Sequence, residues 1–249
     1  MSNNDRFVNQ SGLIDPDKLA KTRFLVIGAG AIGSFYTMTL AKMGAKDVTV
    51  IDYDKIEDHN IPNQMYPTYM TGKLKVDALK EICDMFAETK PYVRAARYDP
   101  TTEVDVDNYG VIVSCVDNMD VRKEIYDSCR GKVLGVLIEG RMGAQVFRAY
   151  CVKLGSKDER AYYEKELYPQ SEATPDRCTQ KSIIYTVLQV AGVMLSMTKR
   201  YLCEETVPTE VVYDCLNDTL SKKTFVRTNA QIIDASTDEP TESNELVKA

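Results

Sequence analysis

The chain has 249 residues, 44% of them hydrophobic and 27% charged, with a net charge of −6 and a pI of about 5.1. These are values of a globular chain able to build a sizeable core, and the acidic balance argues against general binding to DNA. The opening MSNNDRFVNQ has no apolar signal core, and the most apolar stretch, Ile183–Thr198, is short and broken by Thr186, Gln189 and Ser196, so we expect a cytoplasmic protein with no membrane span.

Residues 1–14 read as a polar arm, after which Asp15-Pro16 open a short helix to about Lys21, Asp15 as N-cap and Pro16 at N1. Phe24–Ile27 is an apolar run suited to a strand covered on both faces. Gly28, Gly30 and Gly33 then form G-x-G-x-x-G. The first permits a tight turn, the second lets backbone approach a phosphate, and the third lets the helix pack on the strand. A helix from Ala31 to about Met43 stops at Gly44, and Val48–Ile51 is a second strand with Asp52 at its end. An acid there accepts hydrogen bonds from a ribose while the helix N-terminus faces phosphates. Lys55–Thr71 is polar and irregular, a length that points to function.

Lys75–Phe86 reads as an amphipathic helix with Val76, Leu79, Ile82, Cys83 and Phe86 on one face. Tyr92–Tyr98 and Val111–Cys115 are further strands, and Val116-Asp117-Asn118 leads into a helix of about Val121–Cys129. Val133–Ile138 reads as a buried strand and Gln145–Val152 as its antiparallel partner, followed by a charged helix over Asp158–Leu167. Tyr168–Gln180 is an exposed crossover loop, Ile183–Thr198 a buried helix, and Glu210–Leu216 with Lys223–Arg227 a hairpin turning near Asn217-Asp218. The alternation predicts an α/β fold of Rossmann type: a mostly parallel sheet with helices on both faces, continuing into antiparallel strands. We expect one domain over residues 1–227 and a polar tail over 228–249 without regular structure.

Seven cysteines lie dispersed with no C-x-x-C pair, a pattern of reduced thiols that gives no zinc site. The single histidine, His59, sits in the polar loop and reads as a surface residue rather than a base. Glu139-Gly140-Arg141 follows a strand end, where Arg141 either guides an acidic tail or forms a structural salt bridge.

Asp52 follows Gly33 by 19 residues, a spacing that suits NAD as well as ATP. Downstream motifs discriminate: D-x-D-x-x-x-x-x-N-x-x-x-Q (Asp52, Asp54, Asn60, Gln64), G-K-L-K at Gly72–Lys75, and V-D-N-x-x-x-R (Asp117, Asn118, Arg122). In this order the set resembles the ThiF/MoeB/HesA family of ubiquitin-activating-enzyme-like adenylyltransferases, over roughly residues 6–202. The resemblance implies ATP and Mg²⁺ as cofactors. It puts Gly28, Gly30, Gly33, Asp52, Asp54, Asn60, Asn63, Gln64, Lys75, Asp117 and Asn118 around the nucleotide, with Asp52 on the ribose, Lys75 on the phosphates and Asp117 on the metal. A lysine and a metal ion stabilise the charge that builds when a carboxylate attacks the α-phosphorus. It also implies a homodimer and, as partner, a small ubiquitin-like or sulfur-carrier protein or a peptide.

Two positions depart from the family pattern. Asn63 stands where N-x-x-R-Q has its arginine, and Asn9 replaces the second arginine of R-Y-x-R-Q near the N-terminus. In the family those arginines contact phosphates, the N-terminal one often across a dimer, and asparagine brings no charge. Cys178, in Pro175-Asp176-Arg177-Cys178-Thr179, resembles the P-x-C-T signature of a thioester-forming cysteine with one extra residue after the proline. Arg177 and Lys181 beside it favour a thiolate, against the alternative of a small core side chain. Three other readings stay open: adenylation of a small molecule or modified tRNA nucleoside as in the related dehydratases, a non-catalytic nucleotide-binding subunit of a heterodimer, and an NAD-dependent oxidoreductase. The last leaves Lys75 and Asp117 unexplained.

Overall fold

The structure, a computed structural model, describes residues 6–99, 104–172, 183–225 and, as backbone, 243–248. Its elements in chain order are α1 (Pro16–Lys21), β1 (Arg23–Ile27), α2 (Ala31–Met43), β2 (Asp47–Ile51), α3 (Lys75–Ala87), β3 (Tyr92–Arg94), β4 (Val111–Ser114), α4 (Met119–Cys129), β5 (Val136–Gly143), β6 (Val146–Lys153), α5 (Lys157–Glu164), α6 (Ile184–Leu202), β7 (Glu210–Asp214), β8 (Thr219–Thr224) and β9 (Ser243–Lys248). The sheet runs β3-β2-β1-β4-β5-β6-β7-β8-β9. It is parallel from β3 to β5 and antiparallel from β5 to β9. The mixed sheet is the Rossmann-like α/β class that the sequence predicts.

Successive side chains of a strand point to opposite faces, so the apolar residues of β1, β2 and β4 fill two cores. Phe24, Val26, Val48, Val50 and Val113 meet α2, α3 and α6 through Tyr36, Leu40, Leu79, Ile82, Val190 and Met194. Leu25, Ile27, Ile112 and Leu137 meet α4 and α5 through Val121, Ile125, Tyr126 and Tyr163. Asp15 caps α1 by accepting the Asp17 N–H at 2.9 Å, and Gly44 ends α2 at φ +115°, a left-handed conformation that costs glycine little.

Several boundaries differ from expectation, each for a local reason. The strand expected over Val133–Ile138 begins at Val136, because the chain turns at Gly135 (φ +106°) and leaves Val133 and Leu134 in solvent. The strand expected over Tyr92–Tyr98 is only Tyr92–Arg94, on the sheet edge. Phe86 is half-exposed in the last turn of α3 under the Lys42 ammonium, 5.6 Å from the ring centroid, so it does not join the buried Val76, Leu79, Ile82 and Cys83. The helix expected to be buried throughout packs by one face: Val187, Val190, Ala191 and Met194 are covered, while Ile184, Tyr185 and Leu188 face solvent. Among the cysteines, 83, 129 and 151 are core residues, whereas 115, 203 and 215 are partly exposed. Where the tail was expected to lack regular structure, Ser243–Lys248 pairs with β8 as a ninth strand; residues 226–242 lie outside the described residues. No described helix is long and apolar enough to cross a membrane.

The arm is folded against its own chain. Arg6 pairs with Glu88 at 2.6 Å after α3, the Phe7 ring lies against Gly44, and Gln10 donates to the Met43 carbonyl. These contacts lie at the carboxyl ends of α2 and α3. Helices that join parallel strands run opposite to them, so this is the far end of the sheet from the carboxyl ends of the strands.

A charged cluster fills the core under α4 and α5. Glu139 is fully buried; it pairs with Arg122 at 3.0 Å and with Arg141, and accepts the Tyr163 hydroxyl. Arg141 also donates to the Glu166 carbonyl at 2.8 Å and lies 4.8 Å from the Tyr150 ring centroid, so of its two expected roles it fills the structural one. Burial alone would raise the Glu139 pKa, but Arg122, Arg141 and Tyr163 hold it below the usual range. Breaking such a pair leaves uncompensated charge in the core. Glu139→Gln is therefore expected to lower the unfolding free energy by roughly 3 kcal/mol at neutral pH in urea denaturation. With a depressed folded pKa, the Glu139 contribution is complete above the ordinary glutamate value and is lost as pH falls through the folded value, so the gap between variant and wild type narrows in acid.

Candidate functional site

The sheet order reverses between β1 and β4, and at the carboxyl ends of β1, β2 and β4 lies a cavity of about 240 Å³. Open α/β sheets bind ligands at such a point. Its walls include Gly28, Asp52, Tyr53, Arg97, Tyr98, Val116, Asp117 and Asn118.

The glycine loop forms one wall. Gly28 has φ +95°, and a β-carbon there would lie 2.6 Å from the Cys115 carbonyl oxygen. At Gly33 a β-carbon would lie 1.9 Å from the Gly28 oxygen, so the helix can seat on the strand only without a side chain. Gly30 is different. A β-carbon there would meet no protein atom within 4 Å. The protein's own packing accounts for Gly28 and Gly33; the open space above Gly30 fits a ligand phosphate at the start of α2.

Asp52 ties the loop down. Its Oδ2 accepts the Ala29 N–H at 2.6 Å and its Oδ1 accepts the Asp54 N–H at 2.8 Å. Burial raises the Asp52 pKa, opposed by those two N–H groups and the Lys75 charge. Each carboxylate oxygen keeps a second lone pair for a ribose hydroxyl.

Lys75, in the first turn of α3, is buried and paired. Its side chain is 8% exposed and its ammonium pairs with Asp54 at 2.7 Å, while its N–H donates to the Asp54 carbonyl at 2.9 Å. Asp54 thus links the Asp52 turn to the start of α3. Asn60 closes a short turn by accepting the Glu57 N–H at 3.0 Å, and the Asn63 and Gln64 N–H groups donate to its carbonyl. Asn118 caps α4, accepting from Asp120 and Val121 at 2.9 and 3.1 Å, and also lines the cavity.

The structure therefore gathers Gly28, Asp52, Asp117 and Asn118 at the cavity and attaches Asp54 and Lys75 to them, but Gly30, Gly33, Asn60, Asn63 and Gln64 do not line it. Cys178 lies outside the described residues. His59 is exposed beside Glu57. Among the described residues no group of three or more His, Cys, Asp or Glu side chains is placed to hold a metal ion. Asp117 is a single carboxylate, which suits Mg²⁺ when substrate phosphates supply further oxygens.

Sequence reasoning passed over Tyr53, Arg97 and Tyr98, which line the cavity, and Tyr66, whose hydroxyl donates to the Ala29 carbonyl at 2.6 Å. Arg97 and Tyr98 follow a strand three residues long, and no motif marks them. The one available signal for Tyr66 was its place in a long loop beside Asp52.

Comparison with known proteins matches residues 4–232 to the ThiF family. The chain is 26% identical over 196 residues to "Adenylyltransferase and sulfurtransferase UBA4" of Lodderomyces elongisporus, covering 72% of this chain and 40% of that protein. It is 29% identical over 147 residues to the tRNA threonylcarbamoyladenosine dehydratase of Haemophilus influenzae, covering 56% of each. The chain thus spans 40% and 56% of the length of these two curated relatives. Among solved structures, E. coli MccB with ATP superposes with a TM-score of 0.73 at 16% identity, covering 91% of this chain and 73% of that one. PaaA superposes with a TM-score of 0.72 at 16% identity, covering 90% and 74%. At that identity the two structures speak for the fold.

The glycines offer a direct check on the geometry. Gly33→Ala forces a β-carbon into backbone and is expected to cost more than about 3 kcal/mol in denaturant unfolding. Gly30→Ala, with open space but φ −77° and ψ −146° at the margin of the extended region, is expected to cost about 1 kcal/mol. Equal losses at the two positions would contradict the arrangement of the loop.

Proposed function

The chain belongs to the ThiF family, and on that premise we propose that it is an ATP-dependent adenylyltransferase. It activates the C-terminal carboxylate of a small ubiquitin-like or sulfur-carrier protein, or of a peptide. The observation that carries this reading is the cavity at the sheet reversal, lined by Gly28, Asp52 and Asp117, with open space at Gly30 two residues along the same glycine loop. Asp52 holds the ribose with the lone pairs its backbone donors leave free. The α-phosphate lies over Gly30, against the unpaired N–H groups and positive end of α2. The attacking carboxylate is already ionised at neutral pH, so no enzyme base is needed. Asp117 would hold Mg²⁺, which when bound neutralises phosphate charge. Lys75 contributes its positive charge from beside Asp54 and supports the loop at the same time.

The relatives' names support this reading. UBA4 is called an adenylyltransferase and sulfurtransferase, and MccB was solved with ATP and with MccA. The likeness to the H. influenzae dehydratase favours a second reading, adenylation of a modified tRNA nucleoside; the net charge of −6 speaks against it. A homodimer belongs to the proposal. The exposed Ile184, Tyr185 and Leu188 of α6 offer apolar surface for it. The arm, fastened at the far end of the sheet from its own cavity, is free of that cavity to serve a neighbour's.

ATP–pyrophosphate exchange against candidate carriers tests the chemistry. Asp117→Asn removes a cavity carboxylate and is expected to reduce exchange by about 100-fold or more, with little change in melting temperature. Full-rate exchange in that variant would remove Asp117 from the mechanism.

In this proposal the Cys178 thiolate attacks the carbonyl of the acyl-adenylate, breaking the acyl–phosphate bond and releasing AMP as the thioester forms, and adenylation itself does not require the thiol. Cys178→Ser should keep pyrophosphate exchange and lose any thiol-reducible carrier adduct on a non-reducing gel. An adduct that persists in a destabilised variant shows the cysteine to be structural. If the wild type forms none with a carrier it adenylates, the reaction stops at the adenylate.

A further inference from the structure

Tyr66 belongs to the irregular segment between β2 and α3, and its role is not to line the cavity. Its side chain is 2% exposed, and its hydroxyl donates to the Ala29 carbonyl at 2.6 Å. Burial, with the Asp52 charge adding to it, holds the phenol pKa well above the ordinary value, so the hydroxyl stays protonated and available to donate. The other side of Ala29 is fixed as well, its N–H bound by Asp52 at 2.6 Å. Both polar groups of one buried loop residue are thus held by side chains from outside the loop.

The peptide linking Ala29 to Gly30 is planar and trans, so its C=O and N–H point in opposite directions. Drawing the Ala29 oxygen toward Tyr66 turns the Gly30 N–H the other way. Among the described residues that N–H has no acceptor, and the space around the Gly30 α-carbon is open. Glycine permits this peptide to rotate more freely than any other residue would. Without a restraint, the carbonyl oxygen could turn to where an anion must sit and repel it.

We propose that Tyr66 is a positioning residue: by holding the Ala29 carbonyl it keeps the Gly30 N–H aimed at the ligand's phosphate. This rests on the nucleotide reading above and explains why the long segment after Asp52 folds back on the glycine loop. Met65 supports the same placement, its N–H donating to the Ser34 hydroxyl of α2 at 3.1 Å. Tyr66 itself does not line the cavity, so its effect on a ligand runs through the Ala29–Gly30 peptide.

The test compares ATP with adenosine on the full chain by calorimetry, for wild type and Tyr66→Phe. The ring stays and only the hydroxyl goes. ATP binding is expected to weaken about tenfold, the order of one hydrogen bond to a charged group, while adenosine affinity stays within about twofold. Unchanged ATP affinity overturns the proposal. So does an equal loss for both ligands with a lowered melting temperature, which marks Tyr66 as support for the fold alone. Should Tyr66→Phe fail to fold, Gly30→Ala reads the same geometry: its added methyl crowds the N–H, and ATP must weaken relative to adenosine. A wild type that binds adenosine but gains nothing from phosphates also overturns the role of Tyr66, and one that binds neither removes the nucleotide reading itself.

Discussion

Both carboxylate oxygens of Asp52 are engaged by backbone, one by the Ala29 N–H and one by the Asp54 N–H. This side chain therefore joins the glycine loop after β1 to the chain leaving β2. The second attachment extends further, because Asp54 binds Lys75 through both side chain and backbone and so fixes the start of α3. A substitution that removed the Asp52 charge would release the loop, the turn and the helix start together. The acid that reads as a ribose ligand is first a structural tie, and its ligand-binding capacity is what those bonds leave over.

The opposite wall of the cavity depends on a different set of forces. The 115–118 loop leaves β4 beside Arg122 and Glu139, and it is anchored where Asn118 caps α4. Burying three charges is costly unless every partner is in place, and here each contact of Glu139 comes from a different element: α4, β5 and α5. The cluster sets how α4 and α5 lie on the sheet, and with them the position of Asp117. Cys115 is partly exposed as a residue, but its side chain is turned inward against the glycine loop near Gly33, and burial pushes its thiol up to about 12, so it stays a neutral packing group.

Much of this was legible in the sequence because it depends on local constraint. The three glycines, the apolar strand before them and Asp52 at the end of the next one follow from short-range sterics and two-sided burial. The parallel-then-antiparallel order followed from the spacing of apolar runs. What escaped depended on distant neighbours. The pairing of Lys75 with Asp54 escaped because it forms across a loop that sequence periodicity does not describe. Phe86 fits the apolar stripe of α3 but is half-exposed, and Ile184, Tyr185 and Leu188 in the first turns of α6 stay partly in solvent. Tyr66 carries no motif, since its function is to hold another residue's carbonyl.

The central claim is that this cavity takes ATP and uses it for adenylyl transfer. NAD shares the glycine loop and the ribose acid, so it is the sharpest competitor. Calorimetric titration of the full chain with Mg²⁺-ATP and, separately, with NAD measures the choice directly. The account predicts saturable binding of ATP, strengthened by Mg²⁺, and no measurable heat with NAD. Saturable NAD binding without ATP binding would contradict it.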